Sequence, residues 1–261
     1  MTTTLTTPPT HRLLRLLAAT ALCLIPELFP VLAQPSKSRS KTDESRGVFS
    51  ADAKSIWNPN APQRWTIASP NHLKKIIVDE TTEGDVTSRE EFITVDGKRR
   101  ELFADHVAPE ILWSPNSKAF AETYSDGGAV GKFHVLIDYV EGSRLRTIEP
   151  TKQVIKEFLS HPRTCYEPED PNVGAIEWIE GSSEILVAAE TLPHGNCDNM
   201  GTFRAYTIHL PDGKILKSYG QIEAKKLFWN HMGIELRDAD DECVLKPGSC
   251  YIPALHIKKD H

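Results

Sequence analysis

Runs of Lys and Arg interleaved with aromatic residues are missing from this chain. Acids outnumber bases, 36 Asp+Glu against 30 Lys+Arg, for a net charge of −6. A surface of that sign repels phosphate backbones, so nucleic acid is not an expected partner. A polybasic patch suited to an anionic lipid surface is missing as well. Long apolar runs are scarce. The one run, residues 16–25 (LLAATALCLI), falls short of the about 20 apolar residues a bilayer span needs, and Pro26, Glu27 and Pro30 interrupt its continuation. The hydrolase patterns G-x-S-x-G and H-E-x-x-H do not occur.

The same apolar run has a different use. Arg12 and Arg15 precede it with no acid before them, and Val31-Leu32-Ala33 ends it with small or apolar residues at the positions a signal peptidase reads. Residues 1–33 are therefore expected to be a cleavable signal peptide. A lipoprotein site at Cys23 is disfavoured, because no small residue stands next to it. No stable membrane span is expected after cleavage. Residues 34–55 (QPSKSRSKTDESRGVFSADAKS) are Ser-rich, charged and poor in aromatics, which predicts a flexible leader. Residues 56–261 are left for one sizeable domain.

Cysteine usage follows from export. Cys23 leaves with the signal, and Cys165, Cys197, Cys243 and Cys250 remain. Four cysteines in an oxidising compartment suggest two disulfides, with three possible connectivities. The pairing Cys165–Cys197 and Cys243–Cys250 is favoured, since Pro247-Gly248 makes a turn that brings the second pair together. A competing reading sets His161, Cys165, His194 and Cys197 as a tetrahedral zinc site. Export favours oxidation over thiolate ligation, so neither metal nor cofactor is expected.

One local pattern occurs three times. Its clearest copy, residues 110–123 (EILWSPNSKAFAET), is an apolar strand ending in Trp113, a tight Ser-Pro-Asn-Ser turn and a second strand. Residues 64–78 (RWTIASPNHLKKIIV) and 175–189 (AIEWIEGSSEILVAA) are the others. Pro presets the backbone angle of a turn's second position, and Asn or Gly tolerates the left-handed angle that follows. Each copy precedes a second hairpin, with turns at Asp96-Gly97, Glu141-Gly142 and Asp212-Gly213 between alternating apolar and polar residues. Three four-stranded units emerge, roughly 45–65 residues apart, the size of propeller blades. The expected fold is all-β, a propeller-like stack of antiparallel four-stranded sheets with about three to four blades. Residues 222–259 are the candidate fourth, with strands over 233–237 and 250–257. The alternatives are an open three-sheet stack and closure by oligomerisation. Two helical inserts are expected at 151–160 and 221–229, where apolar residues recur at helical spacing.

The segment Trp113-Ser-Pro-Asn-Ser-Lys-Ala-Phe-Ala resembles the W-S-P-D-G-x-x-I-A core of TolB-like periplasmic β-propeller repeats. The other two copies match less fully, and the likeness extends over residues 60–220. The resemblance implies a protein that binds other proteins or carries a hydrolase domain, and a hydrolase domain is not expected here.

Few residues gather as candidates for chemistry. The loop 126–132 (DGGAVGK) lacks the first Gly and the final hydroxyl of a phosphate loop and lies between strands. Residues 238–242 (DADDE) lack the central Gly of a calcium loop and read as a solvated acidic turn. Trp57, Trp65, Trp113, Trp178 and Trp229 are spread about one per unit, as blade cores would be rather than a sugar-stacking platform. The long loop with His194, Asn196, Asp198 and Asn199 is the candidate binding loop, because long loops on rigid scaffolds carry function. The expectation is a periplasmic or secreted, non-catalytic binding or scaffold protein that recognises an envelope protein or a secreted ligand. The alternative is a hydrolase acting on glycan or peptide in the cell envelope, with no catalytic residue identified. Oligomeric state is left open.

Overall fold

A computed structural model describes residues 47–55, 64–83, 86–95, 98–102, 107–127, 131–142, 144–163, 165–167 and 169–246. The segment read as a signal peptide lies outside them. So do residues 34–46, Trp57, the Asp96-Gly97 turn, Cys250 and the strand expected over 250–257.

The described chain begins with a two-residue strand, β1 (Lys54–Ser55). It continues as β2 (Arg64–Ala68), β3 (Lys74–Glu83), β4 (Val86–Val95) and β5 (Lys98–Glu101), an antiparallel meander in the order β2-β3-β4-β5. A second meander follows: β6 (Val107–Trp113), β7 (Ala119–Ser125), β8 (Phe133–Glu141) and β9 (Arg144–Ile148). β1 pairs antiparallel with β6 and makes this sheet five-stranded. After α1 (Thr151–Leu159) comes the third meander, β10 (Asn172–Ile179), β11 (Glu184–Glu190), β12 (Phe203–His209) and β13 (Lys214–Gly220). The three repeat units of the sequence are the three sheets, so the fold is a propeller-like stack. Both predicted helical inserts form, α1 and α2 (Gln221–Phe228).

Alternation decides which face of each sheet is buried. In β3, Ile76 and Val78 are buried while Lys75 before them is exposed and Ile77 between them is only partly buried. With Ile93 they pack on Ile111, Phe120 and Val140 of the second sheet. The opposite face of the second sheet carries Ala121, Val135 and Ile137, which meet Val173, Ile185, Val187 and Tyr206 of the third. Val154 and Phe158 of α1 join that core. Trp113 packs at the first interface and Trp178 at the second, where its Nε1 donates to Leu112 O at 3.0 Å. Those two tryptophans are sheet-to-sheet core, whereas Trp229 is half exposed under the guanidinium of Arg237.

The repeated turns lock the stack along one edge. Ser69 Oγ accepts from Lys74 N and donates to Asn71 Oδ1, and Ser114 Oγ does the same with Ala119 N and Asn116 Oδ1. His72, Ser117 and Ser182 hold the corresponding left-handed position, with φ of 59°, 59° and 80°. Such angles are uncommon outside glycine. Each turn then reaches the next: Asn71 N donates to Ser117 Oγ at 3.0 Å, and Asn116 N donates to Ser182 Oγ at 3.4 Å. The side chain that closes one turn thus also spaces the neighbouring sheet.

No fourth sheet follows among the described residues. Beyond α2 the chain forms α3 (Ile234–Asp238) and α4 (Asp241–Leu245), so the strand expected over 233–237 is a helix. Two apolar residues at a spacing of two make too short a pattern to separate strand from helix. Leu236 settles it by packing with Ala224 and Met232 against Ile176, Leu186 and Phe203 of the third sheet. The face that would meet another blade is capped by helices. The acidic run 238–242 is likewise structural: Asp240 caps α4 by accepting from Glu242 N at 2.8 Å, and Asp241 accepts from Gln221 Nε2 at 2.8 Å.

The leader expectation fails over residues 47–55. Phe49 and Ser50 are fully buried and Ala53 nearly so. Phe49 stands against Gly174, where a Cβ would lie 2.0 Å from its ring, and meets the Phe133 ring edge-on at 5.3 Å. Burying a side chain of that size contributes about 2 kcal/mol. Ser50 Oγ donates to Ile176 O at 2.7 Å, and Gly233 N donates to Phe49 O at 2.7 Å. The segment is therefore a strap between β6, β10 and the helical cap. Its composition hides this because the anchor is remote. The buried Glu110 carboxylate on β6 accepts from Val48 N and Phe49 N, with Ser50 N contributing.

Burial raises the Glu110 carboxyl from 4.5 to about 7, against the three backbone donors that lower it. The folded chain thus holds a proton between about pH 4.5 and 7 that the unfolded chain has released. Stability falls across that window by up to about 3 kcal/mol from this group alone. Glu110→Gln does not titrate. Urea unfolding at pH 5, 6, 7 and 8 is expected to show the wild type losing stability relative to this variant as pH rises; parallel curves would show the carboxyl ionised throughout.

Candidate functional site

The second-to-third strand connections of the last two sheets leave from one rim. β7 ends at Ser125 and β11 at Glu190, and the chain returns at Phe133 and Phe203. Phe133 N donates to Asn172 Oδ1 at 3.2 Å, and Lys132 Nζ lies 3.5 Å from Asp170 Oδ2, so the rim ends of the two sheets are adjacent. In the loop 126–132, Asp126 Oδ1 accepts from Lys132 N at 2.7 Å, the bond of a hairpin loop.

The longer loop, residues 191–202, is the one carrying His194, Asn196, Asp198 and Asn199. Cys197 within it is disulfide-bonded to Cys165, on the segment leading from α1 to β10. The expected first disulfide is therefore present, and its two sulfurs are not thiolates for a metal. No group of three or more His, Cys, Asp or Glu side chains placed to hold a metal ion occurs among the described residues. Cys243 is disulfide-bonded too, while its proposed partner Cys250 is outside the described residues.

Asn196 belongs to the clamp rather than to a free binding edge. Its Nδ2 donates to Glu169 Oε1 at 2.6 Å and its N to Glu169 Oε2 at 3.0 Å. Its Oδ1 accepts from Glu167 N at 2.8 Å, and its carbonyl accepts from Tyr166 N at 3.0 Å. Gly195 allows this approach, because a Cβ there would lie 2.2 Å from Glu169 Oε2. At the other end, Thr202 closes the loop: its Oγ1 donates to Asn199 O at 2.7 Å and accepts from Asn199 Nδ2 at 3.0 Å. Thr191 N donates to Thr202 O, and Gly201 N to Thr191 O. His194 is exposed at the tip.

Asp198 and Asn199 face a pocket of about 390 Å³ between this loop, the C-terminal end of α1, the start of β12 and α4. Arg163 and Arg204 both line it, with His161 and the apolar side chains of Phe158, Phe203 and Val244. Thr151 holds α1 in place by exchanging hydrogen bonds with the Val135 backbone from its hydroxyl. Gln221 joins β12 to the α4 side: its Oε1 accepts from Phe203 N at 3.1 Å and its Nε2 donates to Asp240 O at 3.0 Å. Arg163 Nη2 donates to Glu169 O at 2.7 Å, and Arg204 Nη2 to Ser218 Oγ at 3.4 Å. Burial pushes the Arg163 guanidinium down, with Asp170 and Glu169 opposing. Asp198 is already engaged within the structure.

Three buried polar atoms of these pocket residues have no hydrogen-bond partner: Arg163 Nη1, Arg204 Nε and Asn199 Oδ1. Leaving such a group unmet costs about 1–3 kcal/mol, and two of these three belong to guanidinium groups of the pocket. Of the four loop residues singled out by sequence, two reach the pocket, one is a clamp and one is an exposed tip. Arg163, Arg204, Glu169 and Gln221 escape a sequence reading, since they are brought together from segments up to 58 positions apart by the folding of the last sheet and its cap.

The chain matches no family model, and no curated protein matches it. Some solved structures are similar in part. The β-propeller domain of the Trilobed protease from Pyrococcus furiosus is 11% identical over 60% of this chain and 43% of that one, with a TM-score of 0.36. An acylaminoacyl peptidase from Pyrococcus horikoshii is 13% identical over 56% and 22%, with a TM-score of 0.33. TolB from Acinetobacter baumannii is 13% identical over 58% and 31%, with a TM-score of 0.30. The matched part spans less than half the length of each of these chains. The fold assignment rests on the three meanders and their stacking.

Removing the loop's covalent tie is expected to loosen this rim. The double variant Cys165→Ala/Cys197→Ala should lose about 4 kcal/mol in urea unfolding, the order for a loop of this length. Limited proteolysis should then cut between residues 191 and 202 before the sheets. An unchanged midpoint would mean that the Glu169 bonds alone hold the loop.

Proposed function

We propose that this chain is an exported, non-catalytic binding or scaffold protein that recognises an envelope protein or a secreted ligand through the rim loop 191–202 and the pocket behind it. The observation that carries this reading is the loop's construction. A disulfide, the two-toothed hold of Glu169 on Asn196, and the Thr202 closure fix both ends of a surface loop on a rigid sheet. A loop ordered in advance loses little further entropy when a partner binds, so such construction suits recognition. The disulfide supports an oxidising compartment, periplasmic or extracellular. No described helix is long and apolar enough to cross a membrane.

The hydrolase reading has one observation of its own. Burial, and then the charge of Glu235, raise the Glu190 carboxyl well above its ordinary value, the condition of a general acid. Glu190 does not line the pocket, so binding remains the preferred reading.

The test is capture from an envelope fraction by the immobilised protein, with His194→Ala/Asp198→Ala run beside it. A partner held by the wild type and reduced about tenfold or more with the loop variant supports the reading. Equal capture by both, or capture by neither, counts against it.

A further inference from the structure

A pocket that draws two guanidinium groups together on a protein of net charge −6 calls for a ligand. Arg163 comes from the segment after α1 and Arg204 from β12, and no lysine lines the pocket between them. The one pocket carboxylate, Asp198, is already engaged. Arg163 is held by its Nη2 bond to Glu169 O and lies over the Phe158 ring, and Arg204 by its Nη2 bond to Ser218 Oγ and by the Tyr206 hydroxyl beside it, while Arg163 Nη1 and Arg204 Nε lack a close acceptor. Their complement is an anion with two acceptor oxygens, since guanidinium forks match carboxylates. The unmet acceptor Asn199 Oδ1 adds a second requirement, an N–H on the same ligand. Phe158, Phe203 and Val244 supply apolar wall. The volume, about 390 Å³, lies near the lower end for small-ligand pockets and suits the last residues of a chain rather than a folded surface.

We infer that the pocket between α1, the disulfide-tied loop and α4 binds the free C-terminal end of a peptide with an apolar last residue. The carboxylate sits between Arg163 and Arg204, an amide N–H meets Asn199 Oδ1, and the last side chain lies among Phe158, Phe203 and Val244. The guanidinium groups turn about their Nη2 anchors to bring the unmet N–H groups to the carboxylate. This rests on the reading of the chain as a binding protein and names the chemistry of its ligand.

Isothermal titration of the full chain with Ala-Ala-Leu as free acid and as C-terminal amide tests it. The acid should bind at least tenfold more tightly than the amide, a comparison that needs no variant. Arg163→Gln and Arg204→Gln should each weaken the acid about tenfold and leave the amide unchanged, with unfolding midpoints checking that the variants are folded. Asn199→Leu should weaken the peptide acid but not inorganic phosphate, which occupies only the anion seat and should compete with the acid. Equal binding of acid and amide, or phosphate binding without the peptide acid, overturns the inference. If neither peptide binds while the wild type still captures its envelope partner, the pocket assignment fails and the binding reading stands. If the acid binds while capture fails, the pocket assignment stands alone.

Discussion

The carboxylate of Glu110 ties the start of the described chain to everything that follows. It is buried at the first strand of the second sheet, and its oxygens receive the backbone N–H groups of Val48 and Phe49. With the strap held there, Phe49 drops onto Gly174 of the third sheet, and Gly233, Ile234 and Glu235 bond the strap carbonyls from the helical cap. Second sheet, third sheet and cap thus meet on one short peptide. A buried acid accepting backbone donors is a demanding arrangement, since removing either side leaves polar groups unmet away from water. His231 adds a surface fastening, with Nδ1 2.6 Å from Asp52 Oδ2 and 3.4 Å from Glu177 Oε2.

That strap also explains how a three-sheet stack is finished. A propeller removes its exposed faces by closing a ring of blades. Here the face of the third sheet that a next blade would cover is taken by Phe49 and by Ala224, Met232 and Leu236. The apolar residues that a fourth blade would bury go to a helical cap instead. Along the other edge the Ser-Pro-Asn turns space the sheets, and Ser117 serves both its own left-handed turn and the bond from Asn71. Local turn chemistry and inter-sheet packing therefore use the same residue, which is why the turn pattern repeats while most of the blade does not.

The rim loop gains its interest from what it is attached to. Its disulfide leads to the segment that follows α1, and the same segment carries Arg163 and Glu169. Glu169 holds the loop through its side chain and Arg163 through its carbonyl. A single stretch thereby sets loop position and pocket charge together. The apolar face of α1 places that stretch, with Val154 and Phe158 in the core between the second and third sheets.

Periodicity made the strands legible: alternating side chains around Asp-Gly and Glu-Gly turns, and three Trp-containing hairpins, define three meanders without any knowledge of distant contacts. The helical spacing of Val154, Ile155 and Phe158 does the same for α1. Cys165 and Cys197 could be paired by favouring one of three connectivities, and the fold brings that pair together. The strap, the cap and the pocket could not be read this way. Residues 47–55 look like leader because their composition is polar, and the partners of their backbone are remote: Glu110, 61 positions from Phe49, and residues 231–235 of the cap. The run 233–237 is too short for its period to speak, so the face it covers decided helix over strand. Arg163, Asn199 and Arg204 carry no shared spacing at all. Local periodicity determines elements because it depends on neighbours in the chain; the strap and the site depend on which distant groups must share one desolvated space, and only the tertiary structure decides that.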